Sequence, residues 1–302
     1  VKEIVLSVIV CTRNRAKLLE KCINSLLPQC TQEVELIIVD NQSTDTTQEV
    51  AAFAKTGYQK LIYAFEPVAG LSNARNKGLE CAGGTWLLYV DDDAYAKSNL
   101  IERCLKTIRE FGEKFDCVGG MYYGYSDTAL PEWMDTDFGS KVKYADYFTE
   151  CPYTIPSGGI VMYKKDALEK IGGFDSRYGM KGEEKNFGDE TDVQLRLYRK
   201  GARFAFDPEM IVYHWIKPEY ISLEWCLRRR YLEGSFFKNA VKENKFVRIL
   251  QLVRSLAAAV FRRFPKAIIK LVTRRNYYWQ NLVYEVLEPV YFYGGKVFGK
   301  SI

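Results

Sequence analysis

The sequence predicts an α/β fold: a mostly parallel sheet flanked by helices, followed by a basic helical C-terminal extension. Three observations carry that expectation. Apolar, strand-forming runs alternate with helical ones between Ile4 and Asp91, the pattern of successive βαβ units. Three of the strand-like runs end in polar clusters, CTRNR, DNQSTD and DDD, where such sheets bind ligands. The charge then divides the chain. From Leu227 onward 16 Lys/Arg stand against 4 Asp/Glu, a balance of +12 in a chain of net charge +5, so the part before it is acidic.

The elements follow in order. Residues 4–11 (IVLSVIVC) read as a buried strand. Residues 16–27 have helical spacing in Leu18, Leu19, Cys22, Ile23 and Leu26. VELIIVD (34–40) is a second strand, and TTQEVAAFAKTG (46–57) a helix closed by Gly57. KLIYAFE is a third strand. LSNARNKGLECAGG (71–84) is a helix ending in a glycine pair, a common stop signal. TWLLYVD (85–91) is the fourth strand. The middle is less regular. MYYGYSDTALPEWMD reads as aromatic and turn-rich, and Trp133 within it is a candidate for the acceptor side. IPSGGIVMYKKDALEKIGGFD reads as strand, helix and turn, and GDETDVQLRLYRKG as a helix with an acidic start. ARFAFDPEMIVYHW is strand-like and ends at the single histidine. Beyond Leu227, two apolar helices studded with Arg and Lys flank Pro265. Lys266, Lys270 and Arg274 recur at i, i+4 and i+8 on one face.

This pattern divides the chain into residues 1–226, a catalytic-type domain, and 227–302, a helical basic region. The eight cysteines show no CxxC pairing, and only His214 joins them as a zinc-type donor. A reduced, cytoplasmic chain without structural zinc is expected. No uncharged apolar run approaches the ~18 residues a membrane span needs.

The carboxylates carry the chemistry. On an extended chain alternate side chains point the same way, so Asp91 and Asp93 could converge on one hard cation, Mg²⁺ or Mn²⁺. A cation would relieve the repulsion of three adjacent aspartates. The second acidic group, Gly188-Asp189-Glu190-Thr191-Asp192, opens a helix, where negative charge is favoured for capping alone. A carboxylate there could also serve as a general base.

The ordered set SVIVCTRN, IIVDNQSTD, GLSNARNKGLECAGGTWLLYVDDD, GGIVMYKKDALEKIGGFD and FGDETDVQLRLYRKG resembles the family 2 glycosyltransferases of GT-A fold, over residues 4–215. The resemblance implies a Rossmann-like, mostly parallel sheet and transfer of a sugar from a nucleotide diphosphate-sugar with inversion. It places the turn from Thr12 to Arg15 against the nucleoside, and Asp40 or Asn41 on the base, with UDP or dTDP favoured. Arg75 would steady the acidic cluster or the diphosphate, and Asp92 would lie near the ribose. Asp91, Asp93 and His214 would hold the metal. The family's G-E-D order is swapped here, which makes Glu190 the first candidate for the base, with Asp189 and then Asp192 behind it. Without the resemblance, His214 reads as a packed or surface residue, and Arg228, Arg229 and Arg230 as a solvated helix face.

The basic, apolar tail has the composition of an interfacial segment on an anionic membrane surface. The competing reading is a helical subdomain whose charges lie in water. Membrane contact fits a peripheral protein on the cytoplasmic face acting on a glycan or lipid-linked acceptor in polysaccharide or cell-envelope assembly. No nucleic-acid recognition motif is present. Two rival functions share the pattern. A nucleotidyltransferase would want a glycine-rich phosphate loop that CTRNRAK lacks. An inert sugar-nucleotide or polysaccharide-binding protein finds room in the swapped Asp189-Glu190.

Overall fold

The computed structural model describes residues 3–153, 159–180, 188–241 and 243–299. It contains two compact units. The first is Val1–Tyr125 with Gly139–Trp215, and the second is Ser126–Phe138 with Ile216–Ile302. The division thus falls ahead of the charge change at Leu227 and takes the Trp133 stretch into the second unit.

In the first unit the βαβ series unfolds as β1 (Leu6–Thr12), α1 (Ala16–Leu26), β2 (Val34–Asp40), α2 (Thr47–Gly57), β3 (Leu61–Phe65), α3 (Leu71–Cys81) and β4 (Trp86–Asp91). The chain continues through β5 (Ala94–Ala96), α4 (Leu100–Phe111), β6 (Cys117–Tyr125), β7 (Thr149–Cys151), β8 (Ile160–Lys164), α5 (Lys165–Lys170), α6 (Asp189–Arg199) and β9 (Phe204–Trp215). These strands make one mixed sheet in the order β3-β2-β1-β4-β8-β6-β9-β5, with β7 on β9. β3, β2, β1 and β4 run parallel. β8 lies antiparallel between β4 and β6, which restores the direction of β4 in β6 and β9. The carboxyl ends of β1, β2, β4 and β9 therefore share one edge of the sheet.

The period of two sorts the strand residues onto two cores. Val8, Val10, Leu36, Ile38, Leu88 and Val90 pack on one face with Leu19 and Ile23 of α1 and Ile101 of α4. Ile9, Ile37, Val39, Leu87 and Tyr89 pack on the other with Ala74 of α3, Leu168 of α5 and Val193 of α6. Being buried on both faces explains why these strands read as continuous apolar runs.

Two features depart from the sequence reading. Met121–Tyr125, expected in a turn-rich stretch, belongs to β6, where continuous pairing with Ile211–Trp215 of β9 outweighs weak local propensity. A bulge between Gly119 and Met121 shifts its register against β9. Strand β5, directly after the aspartates, is three residues long and pairs antiparallel with β9, setting Ala94 opposite His214.

The second unit holds α7 (Leu223–Ala240), α8 (Lys245–Ala258), α9 (Phe264–Thr273) and α10 (Trp279–Phe298). Pro265 does not separate two helices. A five-residue π turn, Ala259–Arg263, joins α8 to α9, and the Phe264 N–H donates to the Ala259 carbonyl five residues back. Proline removes one backbone donor and crowds the carbonyl four residues before it, and the wider turn relieves both. The Trp133 stretch is held on α10: Asn281 Nδ2 donates to the Trp133 carbonyl at 2.6 Å, and the Tyr278 hydroxyl to Glu132 at 2.6 Å. Arg229 and Arg230 pair with Glu233, and Arg230 also with Glu288 of α10. No helix among the described residues is long and apolar enough to cross a membrane.

α7 and α10 approach through glycine. A Cβ on Gly295 would stand 2.0 Å from the Tyr231 carbonyl oxygen, whereas one on the adjacent Gly294 would meet only the Tyr231 ring at 3.9 Å. Replacing Gly295 by Ala is expected to destabilise the protein by about 1–3 kcal/mol through overpacking. The same change at Gly294 should be neutral or stabilising by up to about 1 kcal/mol. Urea titration of both variants distinguishes them, and equal effects would contradict the packing described.

Candidate active site

The shared sheet edge answers the puzzle of the three aspartates by giving each its own partners. Asp91, the last residue of β4, and Asp93 both face His214 at the end of β9. His214 Nε2 lies 3.3 Å from Asp91 Oδ2 and 3.2 Å from Asp93 Oδ1. Asp92 points away from them. It accepts the Thr12 hydroxyl at 2.8 Å, and Arg15 Nη1 bridges it to Asp93 at 2.8 and 3.1 Å. The polar end of β1 is thus spent on holding the DDD turn. The Trp215 N–H, donating to the Asp93 carbonyl at 2.8 Å, fixes that turn to the end of β9.

The carboxylate oxygens of Asp91 and Asp93 and a ring nitrogen of His214 lie within 4.8 Å of one another, a set able to hold one divalent ion. The fit is chemical as well. His214 Nδ1 has its own partner, the Trp215 carbonyl at 3.2 Å, which leaves Nε2 directed at the two carboxylates. That is the usual arrangement of a ligating histidine. Two carboxylates and one imidazole suit Mn²⁺, and three protein ligands leave positions for phosphate oxygens.

The second acidic group reaches the first through Arg75 of α3. This arginine, 4% exposed, pairs with Asp189, with Glu190 Oε1 at 2.7 Å and with Asp91 Oδ1 at 3.6 Å. Its charge state is secure: burial opposes the charge, but the three carboxylates hold its pKa well above the ordinary value. Asp189 and Glu190 open α6, and the preceding Gly188 turns the chain with φ +103°, a value that other residues adopt only under strain. Asp192 points elsewhere and pairs with Arg196, which also donates to the Ile171 and Gly173 carbonyls.

Burial pushes the Glu190 carboxyl up, Asp189 and Asp91 add to that, and Arg75 and Lys141 oppose it. Asp92 is raised to about 6 by burial and by Asp93, against the pull of Arg15 and Thr12. Lys141, which the sequence reading did not single out, is 6% exposed, and its ammonium donates to the Gly120 carbonyl at 2.7 Å. Burial lowers its pKa to about 8, with Glu190 the largest opposing influence. Nothing local in GSKVKY marks it, because its setting is made by β6 and α6, distant in sequence.

The remaining polar loops are built as a pair. Asn14 and Gln42 both adopt positive φ, 53° and 63°. Asn14 N–H donates to Ser43 Oγ at 2.9 Å, and Asn14 Oδ1 accepts the Thr44 N–H at 2.6 Å. Asn41 is fully committed: Nδ2 donates to the Glu66 and Val68 carbonyls, and Oδ1 accepts the Gly70 N–H. Asp40 accepts the Ser43 N–H and the Tyr63 hydroxyl, each at 2.8 Å, and its carboxylate keeps further acceptor capacity. In the same region Arg13 Nη1 is buried with no hydrogen-bond partner among the described residues.

Comparisons with known proteins bear on the family and the fold. A family model described as glycosyl transferase family 2 matches residues 7–172. Glycosyltransferase GlyG of Streptococcus pneumoniae serotype 4 is 33% identical over 124 residues, 41% of this chain. The match takes in only 40% of that relative's length. The glucosyl-dolichyl phosphate glucuronosyltransferase of Haloferax volcanii is 25% identical over 236 residues, 76% of this chain and 74% of the relative. In fold the chain is similar to the mannosyltransferase PcManGT of Pyrobaculum calidifontis, solved in complex with GDP-Man and Mn²⁺. The TM-score is 0.65 at 16% identity, over 95% of this chain and 86% of that one.

Two outcomes follow for stability. Arg75→Met leaves buried carboxylates without their cation and is expected to cost about 3–5 kcal/mol in chemical denaturation. Lys141 acts in the opposite sense. Its folded pKa of about 8 lies below the ordinary lysine value of 10.5, so the unfolded chain binds more protons between them and stability rises with pH across that window. Lys141→Met should remove that rise and stabilise the protein at pH 7, by roughly 3 kcal/mol at most. An unchanged pH profile would show that Lys141 is not held in this setting.

Proposed function

The chain belongs to glycosyl transferase family 2, and on that premise we propose that it is a metal-dependent, inverting glycosyltransferase. Its donor is a nucleotide diphosphate-sugar, and its acceptor is a hydroxyl of a glycan or lipid-linked sugar in polysaccharide or cell-envelope assembly. One observation carries the reading. Asp91, which forms one cluster with Asp93 and His214, and the carboxylates of Asp189 and Glu190 meet on a single buried Arg75 at the carboxyl edge of the sheet.

The roles divide as follows. Asp91, Asp93 and His214 would hold Mn²⁺ or Mg²⁺, which when bound supplies positive charge to the diphosphate leaving group. Glu190 takes the proton of the acceptor hydroxyl as that oxygen attacks the anomeric carbon from the face opposite the diphosphate. The carbon–oxygen bond to the nucleotide diphosphate breaks, and no sugar–enzyme bond forms. Glu190 is preferred to Asp189 because burial raises its carboxyl toward the range a base needs and because Asp189 is the more enclosed of the two. Arg75 keeps both carboxylates in place. Thr12 and Arg15 act through Asp92, holding the turn that presents Asp91 and Asp93 and bringing Asp92 to the donor's ribose.

Asp40 is the preferred reader of the base, since its two carboxylate oxygens keep more acceptor capacity than Asn41 Oδ1, which the Gly70 N–H already occupies in part. A carboxylate acceptor suits the N3–H of uracil or thymine, which favours UDP or dTDP. Arg13 Nη1 is a further unspent donor. The name of the Haloferax volcanii relative, a glucosyl-dolichyl phosphate glucuronosyltransferase, supports a lipid-linked acceptor. The basic second unit supports a peripheral position on the cytoplasmic membrane surface.

Calorimetric titration with UDP, dTDP and GDP, with and without Mn²⁺, tests the donor side. Metal-dependent binding of UDP or dTDP, lost in Asp93→Asn, is expected. Tighter binding of GDP would overturn the base assignment alone. Glu190→Gln tests the chemistry: kcat should fall by about 10²–10⁴ while donor affinity changes little. A variant with unchanged turnover would remove Glu190 as the base, and a wild-type protein that binds nucleotide but transfers no sugar would favour the inert binding reading.

A further inference from the structure

Outside the candidate active site, the strongest unassigned feature is a cleft of about 760 Å³ within the helical unit, between the α8–α9 run and α10. Five cations line it: Arg254, Arg262, Arg263, Lys266 and Lys270. The one carboxylate lining it, Glu285, is already engaged by Lys270 at 2.6 Å and by the Tyr277 hydroxyl at 2.8 Å. No carboxylate among the described residues pairs with the other four cations. Arg263 donates through Nη2 to Ser255, but its Nε is buried with no hydrogen-bond partner among the described residues. Four uncompensated positive charges around one concavity repel one another unless an anion joins them.

The π turn carries two of the cleft cations, the successive Arg262 and Arg263, between α8 with Arg254 and α9 with Lys266 and Lys270. The opposite face of the same helices is apolar and bare. Val253, Leu256, Val260, Phe264 and Ile268 are 54%, 47%, 61%, 47% and 39% exposed. Each stands two residues before a cleft residue: Ser255, Ala258, Arg262, Lys266 and Lys270. Two residues are about 200° of helix rotation, so the apolar stripe and the cations lie back to back.

We propose that this cleft binds the phosphate headgroup of an anionic membrane lipid, with the apolar stripe entering the boundary of the acyl chains. The inference rests on the peripheral-membrane reading above and gives it a specific site. The two faces match the layering of a membrane surface. A helix lying in the interface has its apolar face among the chains and its polar face at the level of the phosphates. Arginine and lysine there meet phosphate oxygens as fork and point-charge donors.

Co-sedimentation with vesicles tests it, using phosphatidylcholine alone or mixed with phosphatidylglycerol. The wild-type chain should bind the anionic vesicles at least about tenfold more tightly, since each basic residue near such a surface contributes about 1 kcal/mol. The triple variant Arg262→Gln/Arg263→Gln/Lys266→Gln should lose most of that preference. A variant of equal charge outside the cleft, Arg228→Gln/Lys245→Gln/Arg275→Gln, should retain affinity within about threefold of the wild type. Circular dichroism melting confirms that both variants are folded, and Val260→Asp/Phe264→Asp, which spares the cleft, provides a second probe by abolishing binding through the stripe. Equal losses in the two charge variants would overturn the cleft while leaving membrane association standing. Failure of the wild type to bind either vesicle would overturn both. Inorganic pyrophosphate, added without divalent metal, separates the sources of anion: competition with anionic vesicles supports a phosphate site, whereas pyrophosphate binding that the cleft triple variant loses, without vesicle binding, assigns the cleft to a free anion and sinks the lipid proposal.

Discussion

The buried guanidinium of Arg75 is the contact on which the site depends. Among the described residues it is the one cation paired with both acidic groups, Asp91 from β4 and Asp189 with Glu190 from α6. Burying a charge is costly without compensation, and burying several carboxylates more so. Each side of this contact makes the other tolerable. Tyr89 donates to the Arg75 carbonyl at 3.1 Å, and Phe174 lies against its guanidinium with 5.4 Å to the ring centroid. The arginine is therefore placed by the core of the sheet rather than by the substrate, and the carboxylates are placed by the arginine.

The same logic runs outward. Arg15 plays for Asp92 and Asp93 the part that Arg75 plays for Asp189 and Glu190, and His214 lies between Asp91 and Asp93. Lys141 and Glu190 are each strained in the direction that burial dictates: the lysine is pushed toward neutrality and the carboxyl toward protonation. A core built for stability alone would hold neither. Their presence at the edge where the parallel strands end is what a reaction involving proton transfer and negative phosphates would require.

Much of this was legible in the sequence. β1, β2 and β4 are apolar on both faces and end in polar residues, so their class and the position of the site followed from composition and order. Asp91 and Asp93 converge, and Asp92 diverges, as alternation along the chain implies. What was not legible depends on distant contacts. β5 is too short to carry a period, and it forms because β9 offers it an edge. β6 hides its strand character behind adjacent glycines and tyrosines. Lys141 looks like any exposed lysine until β6 and α6 enclose it. The π turn could not be read from Pro265, which in isolation signals only a break. The choice between Asp40 and Asn41 depended on carbonyls at Glu66 and Val68, which are 25 and 27 residues from Asn41. Helix α4 is a different case, since Ile101, Cys104 and Leu105 carry a plain helical pattern that the expectations above did not cover.

The Arg75 contact also has a temporal side. Arg75 and Asp189 are 114 residues apart, and Asp92 and Arg15 are 77 apart. As the chain leaves the ribosome, the β1–β4 sheet and its DDD turn can form with Arg15 and Asp91 as the first ion-pair partners, long before α6 exists. Loops of that length close late and slowly. For that interval Arg75 has Asp91 as its ion-pair partner and lacks the cover of Phe174 and α6, so its burial waits for the last third of this unit. The candidate site closes only when α6 and β9 arrive, and a shorter nascent chain holds the parallel strands and the triple aspartate without Asp189, Glu190 and His214.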